Sequence, residues 1–266
     1  VVAAIRARTD LVAKVGLTLG SGLGGVVDAL ESPVVFPTAE LPHWPRSTVA
    51  GHAGRLALGH WKGVPVAALA GRSHRYEGYT LDRVTLAARV MIALGARTMI
   101  FTNAVGTVNR AFKPGELLIA VGHINFIGRQ ALFTPAELVE RRAGRRVATY
   151  YSPRLRETLV AAAARAGVPL HQGTLMGGQG PTYETAAEIR MAAAIGADVA
   201  CMSTVHEVTV ASELGCESAS LSCITNLATG LSDRKLTHDE VTEVADIGAV
   251  GLRRILEEFL SGLAAR

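Results

Sequence analysis

Short apolar runs alternate along this chain with longer segments whose apolar residues recur at helical spacing. Residues 15–19, 64–70, 98–101, 117–121, 173–176, 198–202 and 218–225 read as strands. Residues 80–94 repeat Leu81, Val84, Leu86, Ala88, Val90, Met91 and Leu94 on one helical face, and Gly95 follows as a stop signal. Residues 155–166, 184–195 and 205–214 read as helices closed by Gly167, Gly196 and Gly215, and 238–260 as a long terminal helix with Thr237 as its N-cap. Apolar strands separated by helical segments predict an α/β fold, a mixed and mostly parallel central sheet flanked by helices. No repeat, low-complexity tract or linker divides the chain, so one domain over 1–266 is expected. The least patterned stretch, 126–151, reads as an excursion from the sheet.

Composition narrows the class. Hydrophobic residues make up 49% and charged residues 19%, which excludes a disordered chain. The 27 Lys and Arg against 23 Asp and Glu leave +4, suited to a small anionic ligand. There is no basic stripe interleaved with aromatics of the kind nucleic acid requires. Arg141, Arg142, Arg145, Arg146, Arg154 and Arg156 read as a solvated arginine-rich surface. Three cysteines without a C-x-x-C pair argue against a disulfide framework or zinc site, and Cys201 and Cys223 read as buried small hydrophobes. His43, His60, His123, His171 and His206 show no ligand spacing, so no metal is expected. No membrane-length apolar run or signal core is found, and a reducing cytoplasm is the expected location.

Ligands of open α/β sheets bind beyond the carboxyl ends of the strands. The segments there, 20–25, 71–76, 102–106, 180–184, 202–204 and 225–226, are polar and rich in glycine and hydroxyls. Gly20, Gly22 and Gly25 match G-x-G-x-x-G, but Pro33 comes too soon for the helix of a dinucleotide fold. A tight turn and an anion loop built from backbone N–H groups and Ser21 remain. Arg72, His74 and Tyr76 at spacing two would share one side of an extended segment and offer a guanidinium fork, a second donor and a hydroxyl. The plain alternative is a strand end with an Arg75–Glu77 surface ion pair. Ser203-Thr204 could cap a helix or bind an anion with the same free N–H groups. Tyr183-Glu184 could open a helix, Asn226 could be a turn residue, and His238 could sit at a helix surface.

As an ordered set, these motifs resemble the trimeric class of purine nucleoside phosphorylases. The matching segments are Gly20-Ser21-Gly22-Leu23-Gly24, Pro45-Arg46-Ser47-Thr48-Val49 with Gly51-His52-Ala53-Gly54-Arg55, and Gly71-Arg72 with His74 and Tyr76-Glu77-Gly78-Tyr79. Thr102-Asn103-Ala104 with Gly106, Gly180-Pro181-Thr182-Tyr183-Glu184-Thr185 and Gly196-Ala197-Asp198 follow. Met202-Ser203-Thr204-Val205, Thr225-Asn226 and Leu236-Thr237-His238-Asp239-Glu240-Val241 complete the set. The resemblance implies a phosphorylase/hydrolase-like fold and phosphate bound by Ser21, Arg72, His74, Ala104 and Ser203. It implies nucleoside contacts from His52, Tyr76, Tyr183, Glu184, Met202, Asn226 and His238, with Asn226, Glu184, His74 and His238 carrying catalysis.

The activity so implied is reversible phosphorolysis of 6-oxopurine nucleosides to purine and pentose 1-phosphate, in purine salvage. Phosphate would be co-substrate, no cofactor is needed, and the assembly would be a homotrimer. Thr107 stands where the family usually has a second Gly, His206 where it has Pro, and Tyr183 where it has a stacking Phe. Residues 126–151, which match poorly, are the expected contribution to a neighbouring subunit's site. A 5′-methylthioadenosine phosphorylase would place Asp at Asn226, and His238 would crowd its methylthio group. A xanthosine-preferring enzyme of the family, a NAD-binding oxidoreductase and a non-catalytic nucleoside binder are the other readings.

Overall fold

A computed structural model describes residues 1–20, 22–49, 54–128, 149–232 and 238–265; the side chains of 238–243, Ser21, His52 and the Thr237 cap lie outside the described residues. Its strands are β1 (Val15–Leu19), β2 (Glu31–Pro37), β3 (Arg55–Trp61), β4 (Val64–Ala70), β5 (Thr98–Thr107), β6 (Leu117–Asn125), β7 (Leu170–Gly177), β8 (Val199–Cys201) and β9 (Glu217–Leu227). They form one sheet in the order β2-β3-β4-β1-β5-β8-β7-β6-β9. β1 lies between β4 and β5, parallel to both, and all five of its residues are buried. A strand covered on both faces has no solvated side, which is why it is apolar throughout.

β5 also pairs with β9, in parallel. Because β9 pairs with β6, β6 with β7, β7 with β8 and β8 with β5, five strands close into a ring. The expected mixed, mostly parallel sheet is present, and the ring is a feature that the pattern of apolar runs did not foretell.

The helices are α1 (Val2–Arg6), α2 (Leu81–Val84), α3 (Leu86–Ala93), α4 (Pro153–Ala166), α5 (Ala186–Ala194), α6 (Val205–Glu213) and α7 (His238–Ala264). One core joins Leu17, Leu19, Trp61 and Ile100 of the sheet to Leu155 and Leu159 of α4 and Leu252 and Phe259 of α7. The other joins Met99, Phe101, Leu175 and Ile224 to Met91 of α3 and Val208 of α6. Helices thus cover the sheet from both sides.

Three elements differ from the pattern reading. The helix expected over 80–94 is two helices, because the buried Thr85 hydroxyl bonds back to the Leu81 carbonyl at 2.8 Å. Such a bond competes with the helical ladder and bends it. β2 and β3 were not expected. β2 contains Pro33 and Pro37, which an edge strand paired on one side tolerates. β3 joins β4 through Lys62 and Gly63, both at positive φ (51° and 74°), the two-residue turn whose twist matches antiparallel strands. Residues 129–148 of the expected excursion lie outside the described residues.

Candidate active site

A cleft open to solvent lies at the carboxyl ends of β4, β5, β8 and β9. Arg72, His74, Tyr76, Ala104, Tyr183, Glu184, Met202, Ser203 and Asn226 all line it. Of the six expected rim segments, five contribute directly, and Gly20 of the sixth packs behind Arg72. A Cβ on Gly20 would come within 2.9 Å of the Asn103 Cα and 3.3 Å of Arg72 Nη1, so only glycine allows this approach.

One end of the cleft is cationic. The Arg72 side chain is 3% exposed, with Nη1 2.6 Å from the Thr102 carbonyl oxygen and 3.4 Å from the Ser203 hydroxyl. Its Nε lies 3.1 Å from Glu207, which is 4% exposed. Ser203-Thr204 does more than cap α6: Thr204 makes no side-chain capping bond and sits at φ 73°, ψ −47°. The Val205 N–H bonds to the Ser203 carbonyl at 2.8 Å, closing a γ-turn of the rare positive-φ form. A non-glycine residue so placed costs about 1–3 kcal/mol and persists only where neighbours hold it. The Asn103 amide does so by donating to the Thr204 hydroxyl at 3.1 Å.

His74 and Tyr76 stack, with ring centroids 4.8 Å apart. They reach the cleft differently from the expected extended segment, because Arg75–Glu77 is a 3-10 turn that brings Tyr76 around. The Arg75–Glu77 ion pair is replaced by other contacts. Arg75 donates to the Tyr79 carbonyl, while Glu77 accepts from the His74 backbone N–H at 2.6 Å and from the Thr48 hydroxyl at 2.9 Å, and lies 3.4 Å from His74 Nδ1. Burial opposes ionisation of Glu77, but these bonds from His74 and Thr48 outweigh it and hold the carboxyl at about 2. The anion so fixed orients the His74 ring. Burial, then the Glu77 charge and Tyr183, push the Tyr76 phenol up to about 12, so it stays a hydroxyl.

The other end presents a carboxylate and an amide. Glu184 precedes α5, because Thr185 caps that helix in a reciprocal arrangement with Glu188. Glu184 is therefore free of capping duty and faces the cleft, and burial, with Glu188 adding to it, raises its pKa above the ordinary value. A Cβ on Gly178 would stand 2.7 Å from Glu184 Oε1. Asn226 is aimed by a β-bulge. β5 and β9 run in register to Val105–Ile224 and resume at Gly106–Asn226, leaving Thr225 as the extra residue. Bulges of this kind re-aim a side chain beside a site. The Thr225 hydroxyl lies 2.8 Å from Asn226 Oδ1, and Asn226 Nδ2 donates to the Leu227 carbonyl at 3.0 Å.

The departures at Thr107 and His206 fall outside this lining. The Thr107 hydroxyl is 2.8 Å from the Asn109 carbonyl oxygen. His206 is buried in the first turn of α6, where burial, Arg75 and His123 lower its pKa to about 4 and keep it neutral at ordinary pH. Glu207 and Val49 lie outside the expected rim segments, and Asn103 and Thr225, within them, were given no role of their own. Glu207 had a weak signal, an acid flanked by Val205, Val208 and Val210 in a helical run.

A buried cation with hydroxyls at one end of a cleft, and a carboxylate–amide pair at the other, is the layout of an enzyme that brings an anion to a polar ring. A sequence profile of the phosphorylase superfamily matches residues 14–261. Purine nucleoside phosphorylase 1 of Bacillus subtilis is 41% identical over 248 residues, covering 93% of this chain and 92% of that protein. Purine nucleoside phosphorylase of Mycobacterium tuberculosis is 38% identical over 253 residues, covering 93% and 88%. The crystal structure of Schistosoma mansoni purine nucleoside phosphorylase in complex with inosine superposes with a TM-score of 0.84 at 30% identity, covering 98% of this chain and 94% of that one. The chain belongs to the phosphorylase superfamily and, within it, to the purine nucleoside phosphorylases.

The bulge generates a direct test. A Cβ on Gly106 would stand 2.9 Å from Asn226 Nδ2, so Gly106→Ala should push the amide out of place. A displacement near 1 Å at a reacting centre costs about 100-fold. We expect kcat/KM for inosine to fall by about that factor while the thermal midpoint changes little; an unchanged kcat/KM would show that Asn226 placement is not limiting.

Proposed function

We propose that this chain catalyses reversible phosphorolysis of 6-oxopurine ribo- and deoxyribonucleosides such as inosine and guanosine, giving purine and pentose 1-phosphate for purine salvage. The observation that carries this reading is the joining of the Arg72–Ser203 cradle and the Glu184–Asn226 pair in one cleft. Phosphate is the co-substrate, and neither metal nor organic cofactor is assigned a role. A homotrimer in the cytoplasm is part of the same reading, supported by the motif resemblance; no described helix is long and apolar enough to cross a membrane.

The reaction breaks the glycosidic C–N bond, with its electron pair leaving on the purine, and forms a bond from a phosphate oxygen to the anomeric carbon. The sugar becomes cationic in between. Phosphate, held by Arg72, His74, Ser203, the Ala104 backbone N–H and Ser21, stabilises that cation from below and then captures it. Tyr76, Met202, His52 and His238 contact the ribose, and Tyr183 and Met202 pack on the base. Negative charge develops on the departing purine, and the Asn226 amide stabilises it by donating to N7, as preorganised donors stabilise an oxyanion. Glu184 accepts from N1–H and, in guanine, from the 2-amino group. Glycosidases manage a similar cation with two carboxylates; here the nucleophile is itself an anion, so one carboxylate suffices for recognition.

Selectivity follows from donor and acceptor matching. A 6-aminopurine has a bare lone pair at N1, which repels an ionised Glu184, and an amino group where Asn226 offers a donor. Sites built on such pairs reject mismatched analogues by up to about 10⁴-fold. Asn226→Asp supplies an acceptor instead, so inosine turnover should fall and the adenosine-to-inosine ratio of kcat/KM should rise. An unchanged ratio, or a wild-type enzyme equally active on both, would contradict the assignment.

The protonation state of Glu184 gives a second test. The ionised carboxylate is the acceptor for N1–H, and its pKa is raised chiefly by burial, so acid should remove recognition early. With phosphate saturating, kcat/KM for inosine should fall as pH drops, inflecting above the ordinary glutamate value of 4.5. Glu77, held at about 2, remains ionised throughout and adds nothing to this limb. An acid limb inflecting below 4.5 would count against Glu184 as the acceptor.

A further inference from the structure

Glu207 lies behind the cationic end of the cleft, not in it. It occupies the first turn of α6, among the buried residues Val205, His206 and Val208. Arg72 forms the partition between the cleft and a smaller cavity behind it, which Glu207 lines with Trp44, Pro45, Ser73 and Arg83. On the cleft side the Arg72 fork presents Nη1 to the Thr102 carbonyl and the Ser203 hydroxyl. On the rear side Glu207 Oε2 stands 3.1 Å from Nε, both side chains being 4% exposed or less.

This depth matters. A buried guanidinium or carboxylate alone is strongly destabilising, whereas the pair compensates itself. The planar fork has a fixed geometry, so the Glu207 charge at Nε, an ion pair rather than an aligned hydrogen bond, biases the direction in which the terminal nitrogens point. Ser203, the hydroxyl that shares Nη1, is itself held by the γ-turn at Thr204. The cradle is thus braced from two directions, by Asn103 through Thr204 and by Glu207 through Arg72.

We infer that Glu207 is the positioning residue of the phosphate site: it fixes the Arg72 fork in register with Ser203 and orders the cradle before the anion arrives. This rests on the phosphate reading of the cleft. Glu207 touches neither substrate; it acts through Arg72. An ion pair that served only folding would affect stability and leave the two substrates' constants alone, whereas a positioning pair changes the handling of phosphate and spares the nucleoside.

The test compares two substitutions by titration with inorganic phosphate and by steady-state kinetics. Glu207→Asp keeps the charge, and so the compensation that folding needs, but retracts the carboxylate by one methylene from Nε. Its phosphate Kd and KM should rise about tenfold, as a buried ion pair is lengthened and the fork loosened, with the inosine KM within about twofold of wild type. Glu207→Gln keeps the length and an acceptor oxygen. Its two electrostatic effects oppose each other, a weaker grip on Arg72 and less repulsion of the anion, so phosphate constants should stay within about threefold. An Asp variant with unchanged phosphate Kd, or with both substrate constants raised together, would overturn the role of Glu207 alone. Failure of the wild-type enzyme to bind phosphate would overturn the phosphate reading with it.

Discussion

A guanidinium buried at the edge of a sheet is the constraint around which this site is organised. Arg72 follows β4, and a charge at that depth has to be met by partners on every side. Among the described residues these partners include the Thr102 carbonyl on β5, Ser203 after β8, and Glu207 on α6. Each demands something of its own element. Gly20 must lack a side chain so that β1 can end against Asn103 and Arg72, and Thr204 must accept a strained backbone so that Ser203 can face the cation. Order in the sheet supplies the rest, because β4 and β5 flank β1 in parallel and deliver their carboxyl ends to one rim.

In the proposed reaction the opposite end of the cleft has a different task, the discrimination of a neutral heterocycle. Here the devices are a bulge and a cap. The extra residue Thr225 swings Asn226 towards the cleft and lies within hydrogen-bond distance of its amide oxygen. Thr185 takes the cap of α5, so Glu184 remains outside the helix. Gly106 and Gly178 leave room for those two side chains. β5 and β9 also belong to the five-stranded ring, so Asn226 is mounted on hydrogen-bonded backbone, while Glu184 comes from the segment between β7 and α5.

Much of this was legible from residue order. The apolar runs that became β1, β4 and β9 have no solvated face and cannot be mistaken for polar loops, and the polar tips that follow them mark the rim. Arg72, His74, Glu184 and Asn226 were read as candidates from those tips. What stayed hidden depends on tertiary contacts. β2 carries two prolines and mostly exposed positions, which read as loop until an edge pairing with β3 is known. Thr85 breaks its helix only because its hydroxyl is buried against Leu81. A one-residue bulge at Thr225 leaves no trace in hydrophobic periodicity. Glu207 sits among valines in a helical run that also carries His206 and Glu213, so its charge does not stand out, and its partner is more than a hundred residues away in sequence.

In the proposed reaction the buried cation holds the nucleophile. The most direct measurement incubates the purified enzyme with inosine in phosphate-free buffer and again with phosphate, and identifies the sugar product. Hypoxanthine and ribose 1-phosphate are expected in equal amounts when phosphate is present, and release at background level when it is absent. Equal rates in both buffers, with free ribose as the product, would show that water is the nucleophile and would contradict this role of the cation.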